Sequence, residues 1–234
     1  MRFENKTVVV TGAAGNLGQA VAAAFEAEGA RLLLVDVDAA RLDEVFPGTS
    51  DTREKLATDL RDETVTAAAL ADALSDGRSC DVLCAIAGGF HMGEPVHETP
   101  SEVWDQMLGL NARTLLSAVK ALVPGMVAQG AGRVVTVGAA AARSGVAGMG
   151  AYTATKSVVM RVTEAMAAEL AGKGVTVNAV LPSIIDTPQN RAAMPGADPD
   201  KWVKPEELAA AVTFLASPEA RAVSGALLPV TGGH

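Results

Sequence analysis

The feature that most narrows the fold is an alternation running the length of the chain: short, almost wholly apolar runs separated by longer Ala-rich stretches. Thr7–Val10, Arg31–Val37, Val82–Ile86, Arg133–Val137, Val175–Leu181 and Ala226–Val230 read as strands, and the short run Leu56–Thr58 as a further one. Strands that are apolar at nearly every position are buried on both faces, as in a parallel sheet covered by helices. Asn16–Glu28, Glu63–Ser75, Ser101–Val127, Ala151–Ala171 and Pro205–Ala216 read as the helices between them. The last opens on proline followed by two glutamates, which suits a first helical turn. Gly29 and Gly172/Gly174 stand where helices should stop, as glycine in a left-handed cap would. The pattern predicts an α/β fold: a single doubly wound parallel sheet of about seven strands over residues 1–234. The one long irregular stretch, Ile184–Trp202, sets a candidate substrate loop around residues 184–204.

Composition removes several classes of function. Apolar residues are 49% of the chain and charged residues 20%, which excludes wholesale disorder. Nineteen basic against 27 acidic side chains give a net charge of −8, with no basic run to attract a phosphate backbone. A nucleic-acid partner is therefore not expected. Cys80 and Cys84 cannot build a disulfide framework and lack two further ligands at zinc spacing, so no metal is expected. The opening MRFENKTVVVTG lacks a basic region followed by a long apolar core, and no apolar run approaches the ~20 residues that cross a bilayer. The expectation is a cytoplasmic protein with a small-molecule substrate and no membrane partner.

The first strand leads into Thr11-Gly12-Ala13-Ala14-Gly15-Asn16-Leu17-Gly18, which opens a helix. Glycines permit a tight turn and close approach of a pyrophosphate, and the helix N-terminus offers N–H donors. Eighteen residues beyond Gly18 the second strand ends at Asp36, with Asp38 as the neighbouring candidate. A carboxylate there accepts from both hydroxyls of an adenosine ribose and repels a 2′-phosphate, so NAD(H) is preferred over NADP(H). Asp59-Leu60 follows the third strand, within reach of an adenine. Ala87-Gly88-Gly89 follows the fourth, where missing side chains let backbone lie against the dinucleotide.

Tyr152 and Lys156 stand four residues apart on one face of a predicted helix, and Tyr152 is the only tyrosine in the chain. A cation beside a phenol favours the phenolate, which makes the pair a candidate acid/base. With these residues the chain resembles the short-chain dehydrogenase/reductase family along essentially its whole length, which implies a Rossmann-type fold. The glycine turn matches the family's Thr-Gly-x-x-x-Gly-x-Gly motif, with Leu17 in the usual Ile position. By the resemblance, Tyr152 is the proton donor or acceptor, Lys156 also binds the nicotinamide ribose, and Asn111 holds a water against the lysine. Asn178–Thr187 matches the segment flanking nicotinamide, in which Pro182, the Ile185 backbone and the Thr187 hydroxyl hold the cofactor. Pro229–Gly233 resembles the family's terminal Asp-Gly-Gly segment. By the same resemblance, the long helices Ser101–Val127 and Ala151–Ala171 form the family's dimer interface, which implies a homodimer or homotetramer.

Three departures from the family pattern matter. The usual Asn-Asn-Ala-Gly is Ala85-Ile86-Ala87-Gly88, and the usual Pro-Gly is Pro182-Ser183. The family's catalytic serine, thirteen residues before the tyrosine, is Ala139, with Ser144 as the nearby substitute. One branch lacking that serine includes quinonoid dihydropteridine reductase, and Ala87–Phe90, Asp186–Trp202 and Ser224–Leu228 resemble it. The expected activity is hydride transfer between nicotinamide and a carbonyl or a conjugated imine or quinonoid substrate. A 3-oxoacyl-thioester or general carbonyl reductase is the alternative, and a non-catalytic NAD-binding sensor or scaffold the alternative of another class. Phe90, Met149, Met194 and Trp202 are candidates for the substrate wall, His91 and His97 for its mouth. His234 is expected to be inert.

Overall fold

In a computed structural model, describing residues 1–75 and 77–232, side chains along each central strand alternate between two helical layers. On β1 (Thr7–Thr11), Val8 and Val10 join one buried cluster while Val9 joins the other. On β2 (Arg31–Asp36), Leu32 and Leu34 face the first layer, Leu33 and Val35 the second. Burial on both faces is why these strands read as unbroken apolar runs rather than as alternating ones.

The first layer holds α1 (Asn16–Ala27), which packs on a later helix, Pro205–Ala216. α2 (Ala39–Val45) follows β2 and leads to β3 (Arg53–Ala57). α3 (Glu63–Ala73) lies on the opposite face and precedes β4 (Val82–Ala85). Then come α4 (Ser101–Met107), α5 (Thr114–Ala128) and β5 (Gly132–Val137). α6 (Gly150–Glu169), β6 (Val175–Pro182), α7 (Pro188–Ala193), α8 (Pro205–Ala216) and β7 (Leu227–Val230) complete the order. The seven strands are parallel in the order β3-β2-β1-β4-β5-β6-β7. Strand order reverses between β1 and β4, and such a switch point opens a crevice at the carboxyl ends of the strands.

Three expectations need correction. Ser101–Val127 is not one helix, because a π-helical turn at Leu108–Arg113 separates α4 from α5. The 184–204 stretch is not wholly irregular. It carries α7, capped by the Thr187 hydroxyl with Pro188 in the first turn, and a 3₁₀ turn at Pro199–Lys201. α2, absent from the sequence reading, is a seven-residue helix capped by Asp38. Among the described residues, no helix is long and apolar enough to cross a membrane, and no cluster of metal-binding side chains occurs. Gly233 and His234 lie outside the described residues.

Candidate active site

The crevice begins where β1 turns into α1. Gly12 has φ of 64°, and a Cβ there would stand 2.9 Å from the Ala87 Cα, so the turn and the end of β4 meet backbone to backbone. The Thr11 hydroxyl fastens them, accepting from the Ile86 and Ala87 N–H groups at 3.1 Å each. A Cβ on Gly18 would collide with the Gly12 carbonyl oxygen. α1 starts after Gly15 with no side-chain cap and no acidic residue in its first turn. The N-terminal N–H groups at Asn16, Leu17 and Gly18, with the positive end of the helix dipole, thus suit a pyrophosphate. The Asn16 amide also donates to Gln189 Oε1 at 2.9 Å, which ties α1 to α7.

Asp36 ends β2 with its carboxylate held by the turn. Oδ2 accepts from the Ala14 N–H at 3.0 Å, and Oδ1 from the Val37 N–H at 2.8 Å. Asp38 instead caps α2, accepting from the Arg41 N–H at 3.0 Å, so Asp36 is the better ribose candidate. Asp59 is not free to approach an adenine unaided. Arg61 grips both its oxygens, at 2.9 and 2.7 Å, and holds its carboxyl below the ordinary range. The Leu60 side chain is buried in the core.

Tyr152 and Lys156 lie one turn apart on α6, beneath the end of β4. Lys156 Nζ is buried and donates to the Val137 carbonyl at 2.8 Å. A Cβ on Gly88 would stand 3.1 Å from that Nζ and 2.7 Å from Asn111 Oδ1, so glycine keeps this space open above the lysine. Asn111 sits in the π-helical turn, a widened geometry that often marks functional sites. Its Oδ1 accepts from the Gly89 N–H at 2.9 Å. Its Nδ2 donates to the Gly89 carbonyl at 3.2 Å and to the Thr155 hydroxyl at 3.1 Å. The side chain therefore fixes Gly88–Gly89 against Lys156.

Burial controls the acid/base character of the pair. It pushes the Tyr152 hydroxyl up to about 12 and draws the Lys156 ammonium down to about 8, since both charged forms lose water. The phenol lowered by a neighbouring cation, expected from the spacing, is not what the protein by itself provides. Nζ is committed to Val137, and desolvation dominates both groups.

Ala139 lies where the family pattern has serine. It is buried in a small cluster with Ala142, Met160, Ala179 and Leu181, against which Tyr152 packs. Ser144 is exposed at the far end of the 3₁₀ turn Ala140–Arg143 and takes no part in that cluster. Pro182 closes β6, buried. The Ile185 carbonyl accepts from Asn190 Nδ2 at 2.8 Å, which ties the end of β6 to α7. Thr187 Oγ1 accepts from the Asn190 N–H at 3.1 Å and keeps its own proton to donate.

Among the wall candidates, the Phe90 ring meets Tyr152 edge to face at 4.9 Å, whereas Trp202 is buried at the edge of the 184–204 segment. His91 pairs with Glu94 at 3.2 Å and His97 with Glu98 at 3.4 Å. Cys80 and Cys84 are buried, and burial raises both thiols. Sequence reasoning named Thr11 only as the head of the glycine motif, without its bonds to the end of β4, and missed Thr155 and Gln189. Thr155 had a signal, lying inside the Tyr152–Lys156 motif on the side of the buried lysine. Gln189 had none.

The profile of a family described as enoyl-(acyl carrier protein) reductase matches residues 12–234. The chain is 34% identical over 243 residues to cis-4-hydroxycyclohexanecarboxylate dehydrogenase of Sinomonas cyclohexanicum, covering 99% of this chain and 97% of that protein. A 3-ketoacyl-(acyl-carrier-protein) reductase from Brucella melitensis, solved with NADH, superposes with a TM-score of 0.88 at 30% identity over 98% of both chains. NAD⁺-bound xylitol dehydrogenase superposes with a TM-score of 0.91 at 25% identity over 100% of both chains.

Proposed function

Because this chain belongs to the short-chain dehydrogenase/reductase family, we propose that it is an NADH-dependent oxidoreductase in which Tyr152 moves the proton. The reading has residues 1–234 as one domain, with the segment around 184–204 over the substrate. The observation that carries it is the grouping of Tyr152, Lys156, Asn111 and Gly88 at the mouth of the crevice that begins at Gly12. Nicotinamide bound in that crevice supplies or accepts the hydride. In the reducing direction Tyr152 donates its proton to the substrate oxygen or nitrogen. Lys156 binds the nicotinamide ribose and, while protonated, offsets the phenolate left behind. Asn111 positions the Gly88–Gly89 backbone. Gly12, Gly15, Asn16, Leu17 and Gly18 cradle the pyrophosphate, Asp36 the ribose, Asp59 and Leu60 the adenine end. Ala87, Gly88, Pro182, Ile185 and Thr187 line the nicotinamide end.

The Asp36 carboxylate supports NAD(H) over NADP(H), because a 2′-phosphate beside it meets like charge. Ala139 supports an acceptor that builds little oxyanion charge, such as a conjugated or quinonoid compound, of which a quinonoid pterin is one. The 30% identity to a 3-ketoacyl reductase favours a 3-oxoacyl or general carbonyl substrate as a second reading. A homodimer or homotetramer through α5 and α6 belongs to the same proposal, supported by the partly exposed Leu116 and Val158 on those helices. Cytoplasmic placement fits the acidic, cysteine-poor chain.

The test is NADH oxidation against quinonoid pterin, quinones, diketones and oxoacyl thioesters, with Tyr152→Phe alongside. The variant should lose ~10²–10⁴ in kcat/KM on every accepted compound while keeping the wild-type Kd for NADH. Full activity in Tyr152→Phe would refute the acid/base role. Tight NADH binding with no turnover of any compound would favour the sensor reading.

A further inference from the structure

The rim of the candidate site exposes several large apolar side chains beside its polar ones. After β4 the chain does not leave the crevice but crosses the N-terminus of α6 as a strap. The Gly93 N–H donates to the Gly148 carbonyl at 2.8 Å, and Val96 packs so closely on Gly150 that a Cβ there would stand 2.5 Å from Val96 Cγ2. The strap presents Phe90, Met92 and Val96 outward, 61%, 63% and 60% exposed, and Val146 of the facing loop is 37% exposed. Phe90 continues this surface down to the Tyr152 ring. Large apolar side chains gathered at one mouth, against a buried floor of Ala139 and Ala142, are costly in water unless something covers them.

Charge narrows the occupant. Residues 85–99 include Glu94 and Glu98 and no lysine or arginine. Arg143 is the one cation in residues 138–152. In the 184–204 segment, Arg191 is paired with Asp186 and Lys201 with Asp198, while Lys204 stands exposed at the start of α8. On a chain of net charge −8, this mouth offers an anion little.

We infer that the substrate is a neutral carbonyl or quinonoid compound with an apolar face, held between the Phe90–Val96 strap and Val146. Carboxylates and phosphate-bearing or carrier-bound thioesters are then poor substrates. The inference rests on the oxidoreductase reading. The reaction balances with groups already named: hydride from NADH goes to the substrate carbon or conjugated ring, the proton comes from Tyr152, and NAD⁺ leaves with the alcohol or quinol. Contact with the strap adds binding through buried hydrocarbon, about fourfold per methylene fully removed from water.

The experiment compares kcat/KM for matched pairs: a neutral alkyl-substituted cyclic diketone or quinone and its carboxylated counterpart, with an oxoacyl coenzyme A thioester as a third arm. The neutral member should be preferred by at least about tenfold. Met92→Ala with Val96→Ala should raise KM for it severalfold while leaving kcat and the KM for NADH unchanged. Preference for the carboxylate or the thioester, with NADH oxidised, overturns this inference and leaves the oxidoreductase reading standing. An unchanged KM in the double variant also overturns it. Turnover of no arm overturns the oxidoreductase reading and this inference together.

Discussion

Two residues carry the selectivity that we propose for the site. Asp36 already accepts two backbone N–H groups, and that fixes where its charge stands. NADPH should therefore bind more weakly than NADH by ~2–4 kcal/mol, combining lost hydrogen bonds with like-charge repulsion. Asp36→Ala should narrow that gap, as titration of both cofactors against both proteins would show; equal wild-type dissociation constants would contradict it. Ala139 is the second. Ala139→Ser should raise kcat/KM on simple ketones by up to ~10²–10³ if the hydroxyl reaches the substrate oxygen, and do little for a quinonoid acceptor. A gain on neither class would mean that the buried cluster around Tyr152 leaves the new hydroxyl no productive direction. The positions of Asp36, Tyr152 and Lys156 were legible because each is fixed by a strand end or a helical repeat. The burial that sets the two pKa values was not, because it arises from neighbours distant in sequence such as Val137 and Leu181.

At the scale of elements, strands were the most legible, since burial on both faces writes itself as an unbroken apolar run. The junction of β1 and β4 was only half legible. The glycines announced a turn, but the Thr11 hydroxyl that joins the two strand ends reads as an ordinary strand threonine. Thr11→Val keeps the shape and removes the acceptor, leaving the Ala87 N–H without its partner. The loss should cost ~1–3 kcal/mol in urea denaturation and weaken NADH binding, whereas unchanged stability would show the bond to be dispensable. The π-helical turn at Leu108–Arg113 left no mark, because one extra residue per turn barely disturbs the apolar period of a long helix. α7 did leave one that went unread: threonine followed by proline is a cap and a first turn.

Across the whole molecule, the site is maintained at the expense of stability. Lys156 titrates at about 8 in the fold against 10.5 when free. The unfolded chain binds that proton more tightly, so the cost is full below pH 8 and relieved as pH rises toward 10.5. Tyr152 has the opposite sign. Its contribution holds below pH 10 and is lost between 10 and about 12, the folded value. Unfolding free energy should thus climb between pH 8 and 10. Lys156→Met should be more stable at pH 7 by ~1–3 kcal/mol and should flatten that climb. A lower urea midpoint for the variant would show the ammonium to be a net stabiliser. The bond from Asn16 to Gln189 has a consequence of another kind, because its partners are 173 residues apart in the chain. Closing so long a span comes late, after the local strand–helix units have formed. During synthesis, the glycine turn emerges from the ribosome long before the segment that faces it. A nascent chain therefore meets the cell's dinucleotide pool with only half a cleft, and the ligand can reward folding only near the end of translation.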